Sequence, residues 1–272
     1  MPRVLTRTAR RVGAIALAML LLAAMVPVVL APAGPASTVR DPAHNAPTPN
    51  TACSASASAT GVWRVEGPCR MEGNRLVYEP AALNRLYLRA IDSARRGEGL
   101  GPLRLPLTFS RMDAVGQLAV LTNLERVARG LPALVGTTRT LSFAARQGAE
   151  AARDPVLASS DRSWGSVWAG GSDVTVLEAW FGWMYADGWG GPGATFNESC
   201  GSPGAPGCWG HRNNLLGDWG VRPAAGISAW QQGGVDSYTM ILESGVGLSL
   251  SPLLPAGESA IASSSVASLL FS

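Results

Sequence analysis

Cys208-Trp209-Gly210-His211-Arg212-Asn213-Asn214-Leu215-Leu216 is the stretch on which this chain turns. It holds one of only two histidines, set in a dense polar and aromatic run; the other, His44, lies in a stretch rich in Pro, Ala and Ser near the N-terminus. Chemistry that needs two imidazoles from one packed site is therefore disfavoured. His211 has to work alone or with carboxylates.

Upstream of that stretch, three helices are expected. Ser110 and Asp113 have capping-box spacing and open a helix that runs to Gly130, with Val115, Leu118, Leu121, Leu124 and Val127 as its apolar face. A second helix is predicted from Thr140 to Arg153, stopped by Asp154-Pro155. The third starts at Ser172 or Asp173 and runs to Gly188, directing Leu177, Trp180, Phe181 and Met184 inward. Downstream, Ala225–Trp230 and Tyr238–Glu243 alternate like strands around a turn of Gln and Gly. Helices followed by antiparallel strands give an α+β class.

The N-terminal third has a different character. Arg3, Arg7, Arg10 and Arg11 precede an apolar run, Val12–Leu30, and then small residues that a signal peptidase accepts. Residues 1–36 therefore read as a signal peptide, with an uncleaved membrane anchor over residues 12–30 as the alternative. Residues 37–60 have the composition of a poorly packed, disordered linker. Residues 61–107 form an N-terminal extension with a short strand at Gly61–Glu66 and a helix that opens at Pro80 and stops at Gly97. The main domain then spans residues 108–250, and residues 251–272 form a flexible, Ala/Ser-rich tail.

Composition removes several kinds of chemistry. The 22 basic residues are all arginine, so a phosphate loop ending in Lys, a Schiff-base lysine and a lysine general base are excluded. Taking the four leader arginines from those 22 leaves 18 against 19 acidic residues, which gives nucleic-acid binding no electrostatic basis. Four cysteines in an exported chain suggest two disulfides, with three connectivities open. The short segments between them favour Cys53–Cys69 and Cys200–Cys208, which leaves no thiol nucleophile.

Several motifs fall in one order: Leu121-x-Asn123-x-Glu125-Arg126, Gly130-Leu131-Pro132-Ala133-Leu134, Ala144, Ala151-Ala152, Trp180, Cys200 and Gly210-His211-Arg212-x-Asn214-Leu215-Leu216. Over about residues 113 to 245 this resembles the CAP superfamily, the cysteine-rich secretory, antigen 5 and pathogenesis-related 1 group, in its bacterial SCP-like form. The resemblance implies an α-β-α sandwich with a short antiparallel sheet and a surface cleft. It also implies a cleft set of two histidines and two acids that can hold a divalent metal.

Only His211 of that set is present. The first histidine is missing from the window between Ala151 and Ser163, and Ser166 and Trp183 stand where the two acids are expected. No metal or cofactor is therefore expected. The expected ligand-binding cleft comprises His211, Ser166, Trp183, Trp189 and Arg212. The resulting expectation is a secreted, non-catalytic domain of the extracellular space or cell envelope. It would bind a small molecule, a lipid or an envelope component, and touch the membrane only through an uncleaved N-terminal segment. The alternative is a cell-wall or peptide hydrolase with His211 as general base, oriented by Asp187 or Glu198. Geometry separates the two, because a base needs both a hydrogen-bonded partner and an open pocket.

Overall fold

The computed structural model describes residues 39–57, 63–158, 160–192 and 196–253. The apolar leader, including residues 12–30, and the end of the tail lie outside them. Among the described residues no helix is long and apolar enough to cross a membrane.

Three strands form the central sheet, in the order β5-β7-β6 and antiparallel throughout: β5 is Trp164–Ser172, β6 Pro223–Gln232 and β7 Val235–Ser244. β6 and β7 meet at Gly233-Gly234, both with positive φ (61° and 81°), the backbone that a two-residue hairpin turn demands. Period-two alternation then sorts the side chains between two cores. Val167, Ala225, Met240 and Leu242 enter a core shared with α2 (Ala114–Ala128) and α4 (Val176–Tyr185). Trp164, Ala224 and Ile241 enter a second core with Leu141, Ala144 and Ala145 of α3 (Arg139–Glu150). The architecture is an α+β sandwich with helices on both faces of a short antiparallel sheet.

Helix boundaries differ from the sequence pattern for local reasons. Asp113 caps α2 by accepting from the Gly116 N–H at 2.7 Å, while Ser110 lies one turn earlier in a 3-10 turn, Phe109–Arg111. α3 stops at Glu150, because Ala152 adopts a positive φ and Arg153 N–H folds back to the Gly148 carbonyl. α4 starts later than expected. Thr175 caps it through the Glu178 N–H, and Ser172 belongs to β5 instead.

Two small hairpins precede the sandwich: β1 (Ser54–Ala57) with β2 (Trp63–Glu66), and β3 (Cys69–Glu72) with β4 (Arg75–Tyr78). The Cys53–Cys69 disulfide ties them together. α1 (Pro80–Gly97) opens on its proline and buries Leu83, Tyr87 and Ile91 in the larger core, beside α4. The extension therefore shares the main hydrophobic core. Residues 39–50, whose composition suggests a loose linker, also make specific contacts: Ala46 N–H donates to the Tyr185 carbonyl at 2.7 Å, and the Asn45 amide pairs with Gly188. Polar side chains of this segment find partners at the end of α4, which composition alone does not register.

Candidate functional site

α5, the short helix Gly210–Leu215, presents His211 at its first turn, facing the loop that leaves α4. Asp187 on that loop is fully buried, and its carboxylate is held on three sides. Its Oδ1 lies 2.7 Å from His211 Nδ1 and 2.7 Å from Asn197 Nδ2, and its Oδ2 accepts from the Arg212 N–H at 3.1 Å. An ionised carboxylate can only accept, so Nδ1 carries the proton of the neutral imidazole and Nε2 keeps its lone pair. Nε2 faces Asp154, whose Oδ1 is 3.8 Å away.

The imidazole is one-fifth exposed and lines a cavity of about 280 Å³. Walls come from β5 (Trp168 to Gly170), from α4 (Glu178, Ala179, Gly182 and Trp183) and from the loop Phe196–Ser199. Trp183 donates its indole N–H to the Trp168 carbonyl at 2.9 Å, and Trp168 donates its own to Ser237 Oγ at 2.9 Å, so both rings are pinned. Burial pulls the His211 pKa down, but the hydrogen bond and charge of Asp187, with the charge of Asp154 behind them, outweigh it and hold the group above its ordinary 6.5. Burial raises the pKa values of Asp154 and Glu178 despite the groups that favour their ionised forms.

Support comes from three directions. Cys200–Cys208 closes the loop before Trp209, a constraint that contributes about 2 to 3 kcal/mol in the chain-entropy account. Just before that loop, Asn197 Nδ2 also reaches the Asp187 and Gly207 carbonyls. Trp209 holds φ at 61°, a strained value for a bulky residue, and donates its N–H to the Asp187 carbonyl at 2.9 Å. Asn45 brackets Gly188 from the far side, its Nδ2 donating to the Gly188 carbonyl at 2.8 Å and its Oδ1 accepting from the Gly188 N–H at 2.7 Å. A Cβ at Gly188 would lie 2.5 Å from the Trp209 ring, so only glycine fits between them.

Asn45→Ala removes two backbone anchors beside Asp187. It is expected to cost about 1 to 3 kcal/mol and to lower the His211 pKa toward 6.5, as read by imidazole NMR titration. A drop in stability with an unmoved His211 titration would show that Asn45 holds the fold but not the dyad.

The structure separates the five residues expected to form the cleft. His211 and Trp183 line the cavity; Ser166, Trp189 and Arg212 do not. Ser166 is buried in β5, where its carbonyl accepts from Asn214 Nδ2 at 2.7 Å, because the strand that carries it packs on α5. Trp189 is 40% exposed on the loop beyond Gly188. Arg212 is fully buried, its guanidinium near the Tyr185 and Trp209 rings and bonded to Glu98 at 2.8 Å and to the Met184 carbonyl at 2.6 Å, with Asp41 3.9 Å from its Nε, so its counter-charges come from within the protein.

Of the two orienting acids proposed, Asp187 pairs with His211, whereas Glu198 lines the cavity. Pattern reading passed over Asp154, Trp168, Glu178, Asn197 and Asn45. Only Asp154 left a signal, since it stands in the window searched for a histidine. No cluster of three or more His, Cys, Asp and Glu that could hold a metal ion is found among the described residues. Comparison of the chain with protein-family models, curated proteins and solved structures finds no match.

Proposed function

We propose that the chain is an exported CAP-type domain whose cleft carries out base-assisted hydrolysis of a small unit of a peptide or cell-envelope polymer. One observation carries the reading: His211 is oriented by a buried carboxylate on one side and opens to a cavity on the other. That is the geometry a general base requires.

In the proposed step a water molecule gives its proton to Nε2 while its oxygen attacks the substrate carbonyl. The imidazolium then returns that proton to the leaving amine as the carbon–nitrogen bond breaks. Asp187 stabilises the imidazolium, and Asp154, 3.8 Å from Nε2, is placed to accept the second hydrogen of the same water. Water is the nucleophile of choice here, since the four cysteines are paired. The motif order and the sandwich architecture support the CAP assignment. The two disulfides suit an oxidising compartment and, with the apolar leader, support export.

The test is a pH–rate profile on peptide and peptidoglycan substrates. Because the His211 pKa is raised, the free base accumulates as pH climbs through that value. Turnover is expected to rise on a limb whose midpoint lies above 6.5 and coincides with the imidazole titration measured by NMR. A limb unrelated to that titration removes His211 as the base. Saturable binding without turnover at any pH returns the chain to a non-catalytic binding domain.

A further inference from the structure

Three carboxyl groups line the cavity, Asp154, Glu178 and Glu198, together with the rings of Trp168, Trp183 and Phe196. Among the described residues no arginine lines it, His211 being the one basic side chain there, and the chain has no lysine to reach in. Glu178 is fixed in place, accepting from the Tyr87 hydroxyl at 2.7 Å, so a residue of α1 sets the position of a charge on the cavity wall. An enclosure that is acidic, aromatic and without a balancing arginine favours one kind of occupant. A cation is drawn to the ring faces and to the carboxylates together, whereas an anion meets repulsion and a neutral group gains only the apolar contact. Burial raises the Glu178 and Asp154 pKa values, the cost that a bound cation would offset.

We propose that the cavity selects a substrate group bearing an ammonium, seated between the aromatic rings and the carboxylates of Glu178 and Glu198. A volume of about 280 Å³ suits a single side chain or one sugar ring. The ammonium would therefore come from a diamino-acid side chain of a peptide or from an amino sugar of a glycan. This deepens the proposed function by naming what the hydrolytic site recognises, and it is testable without turnover.

Calorimetric or tryptophan-fluorescence titrations of the leaderless protein compare Nα-acetyl-lysine amide with Nα-acetyl-norleucine amide, and glucosamine with N-acetylglucosamine. The charged member of one pair is expected to bind about tenfold tighter than its neutral partner. Which pair responds identifies the source. Glu178→Gln and Glu198→Gln are each expected to shrink that preference severalfold; Glu198 is exposed, so its variant tests the idea even if Glu178→Gln folds poorly. His211→Ala is expected to keep the preference, which separates this proposal from the catalytic one.

Equal or weaker binding of both charged probes overturns it. So does a preference untouched in both glutamine variants, or the absence of saturable binding by either cation. Turnover that depends on His211 but acts only on uncharged substrates would sink the ammonium proposal and leave the base intact.

Discussion

His211→Ala is expected to lower turnover by about 10²- to 10⁴-fold, the range that a positioned general base contributes, while costing about 1 to 3 kcal/mol of stability as Asp187 loses a hydrogen-bond partner inside the protein. The sequence alone suggests the reverse emphasis, a cleft in which His211 contacts a ligand without catalysis. Geometry shifts the weight: Asp187 ties down one ring nitrogen and the other faces a cavity, so half of the imidazole's hydrogen-bonding capacity is free for substrate.

Asp187→Asn sharpens the test, because the amide keeps the shape of the carboxylate but not the charge that stabilises the imidazolium. It should lower turnover and bring the His211 pKa down. The sign of the linked stability follows from the raised folded-state pKa. The ion pair contributes fully below 6.5 and is lost as pH rises through the folded-state value, so Asp187→Asn should destabilise the protein more at pH 6 than at alkaline pH. Turnover on every substrate unchanged in His211→Ala, with a lowered melting temperature, would return the histidine to a structural role.

How far the sequence reached depends on whether the deciding forces were local. α1 and the β6–β7 hairpin are legible because their signals are covalent neighbours: a proline at the first helical turn, a Gly-Gly pair between alternating strands. Both disulfide pairs follow from short spacing. β5 was invisible, since Trp164-Gly165-Ser166-Val167-Trp168-Ala169-Gly170-Gly171-Ser172 lacks strand-forming composition and is held by its pairing with β7. Without that strand the start of α4 falls too early; Ser166 enters the expected cleft only through the resemblance, and the strand buries it instead. The dyad was half legible. His211 and Asp187 were named, but what makes Asp187 the partner instead of Glu198 is a set of contacts from Asn197, Trp209 and Asn45, all set by tertiary structure.

The same long-range logic governs the largest stability effect expected in this chain, that of Glu125→Ala. Glu125 on α2 is fully buried, and its carboxylate takes Arg95 from α1, Arg129 from the C-cap of its own helix and the Tyr185 hydroxyl from α4, the last at 2.6 Å. Arg129 continues to Glu98 at 2.6 Å, and Glu98 binds Arg212, the residue after His211, at 2.8 Å. One buried acid thus joins three helices and, through Arg129, Glu98 and Arg212, the short helix that carries His211.

Truncating Glu125 leaves the desolvated Arg95 guanidinium without its counter-charge and Arg129 with Glu98 alone, a change that typically costs about 3 to 5 kcal/mol, a large share of an ordinary domain's stability. Urea denaturation should show that loss, while Arg64→Ala, which breaks a pair exposed on both sides, should change almost nothing. Acid adds a second signature. Burial raises the Glu98 pKa, but the Arg212 hydrogen bond and the charges of Arg129 and Arg212 win and hold it below 4.5, so its contribution is full above 4.5 and is lost as pH falls through the folded-state value. A Glu125→Ala protein within about 1 kcal/mol of wild type would mean that the arginines relax outward to water. In that case α1 is held to the sandwich by the burial of Leu83, Tyr87 and Ile91 and by the remaining bonds of Tyr87 and Glu98.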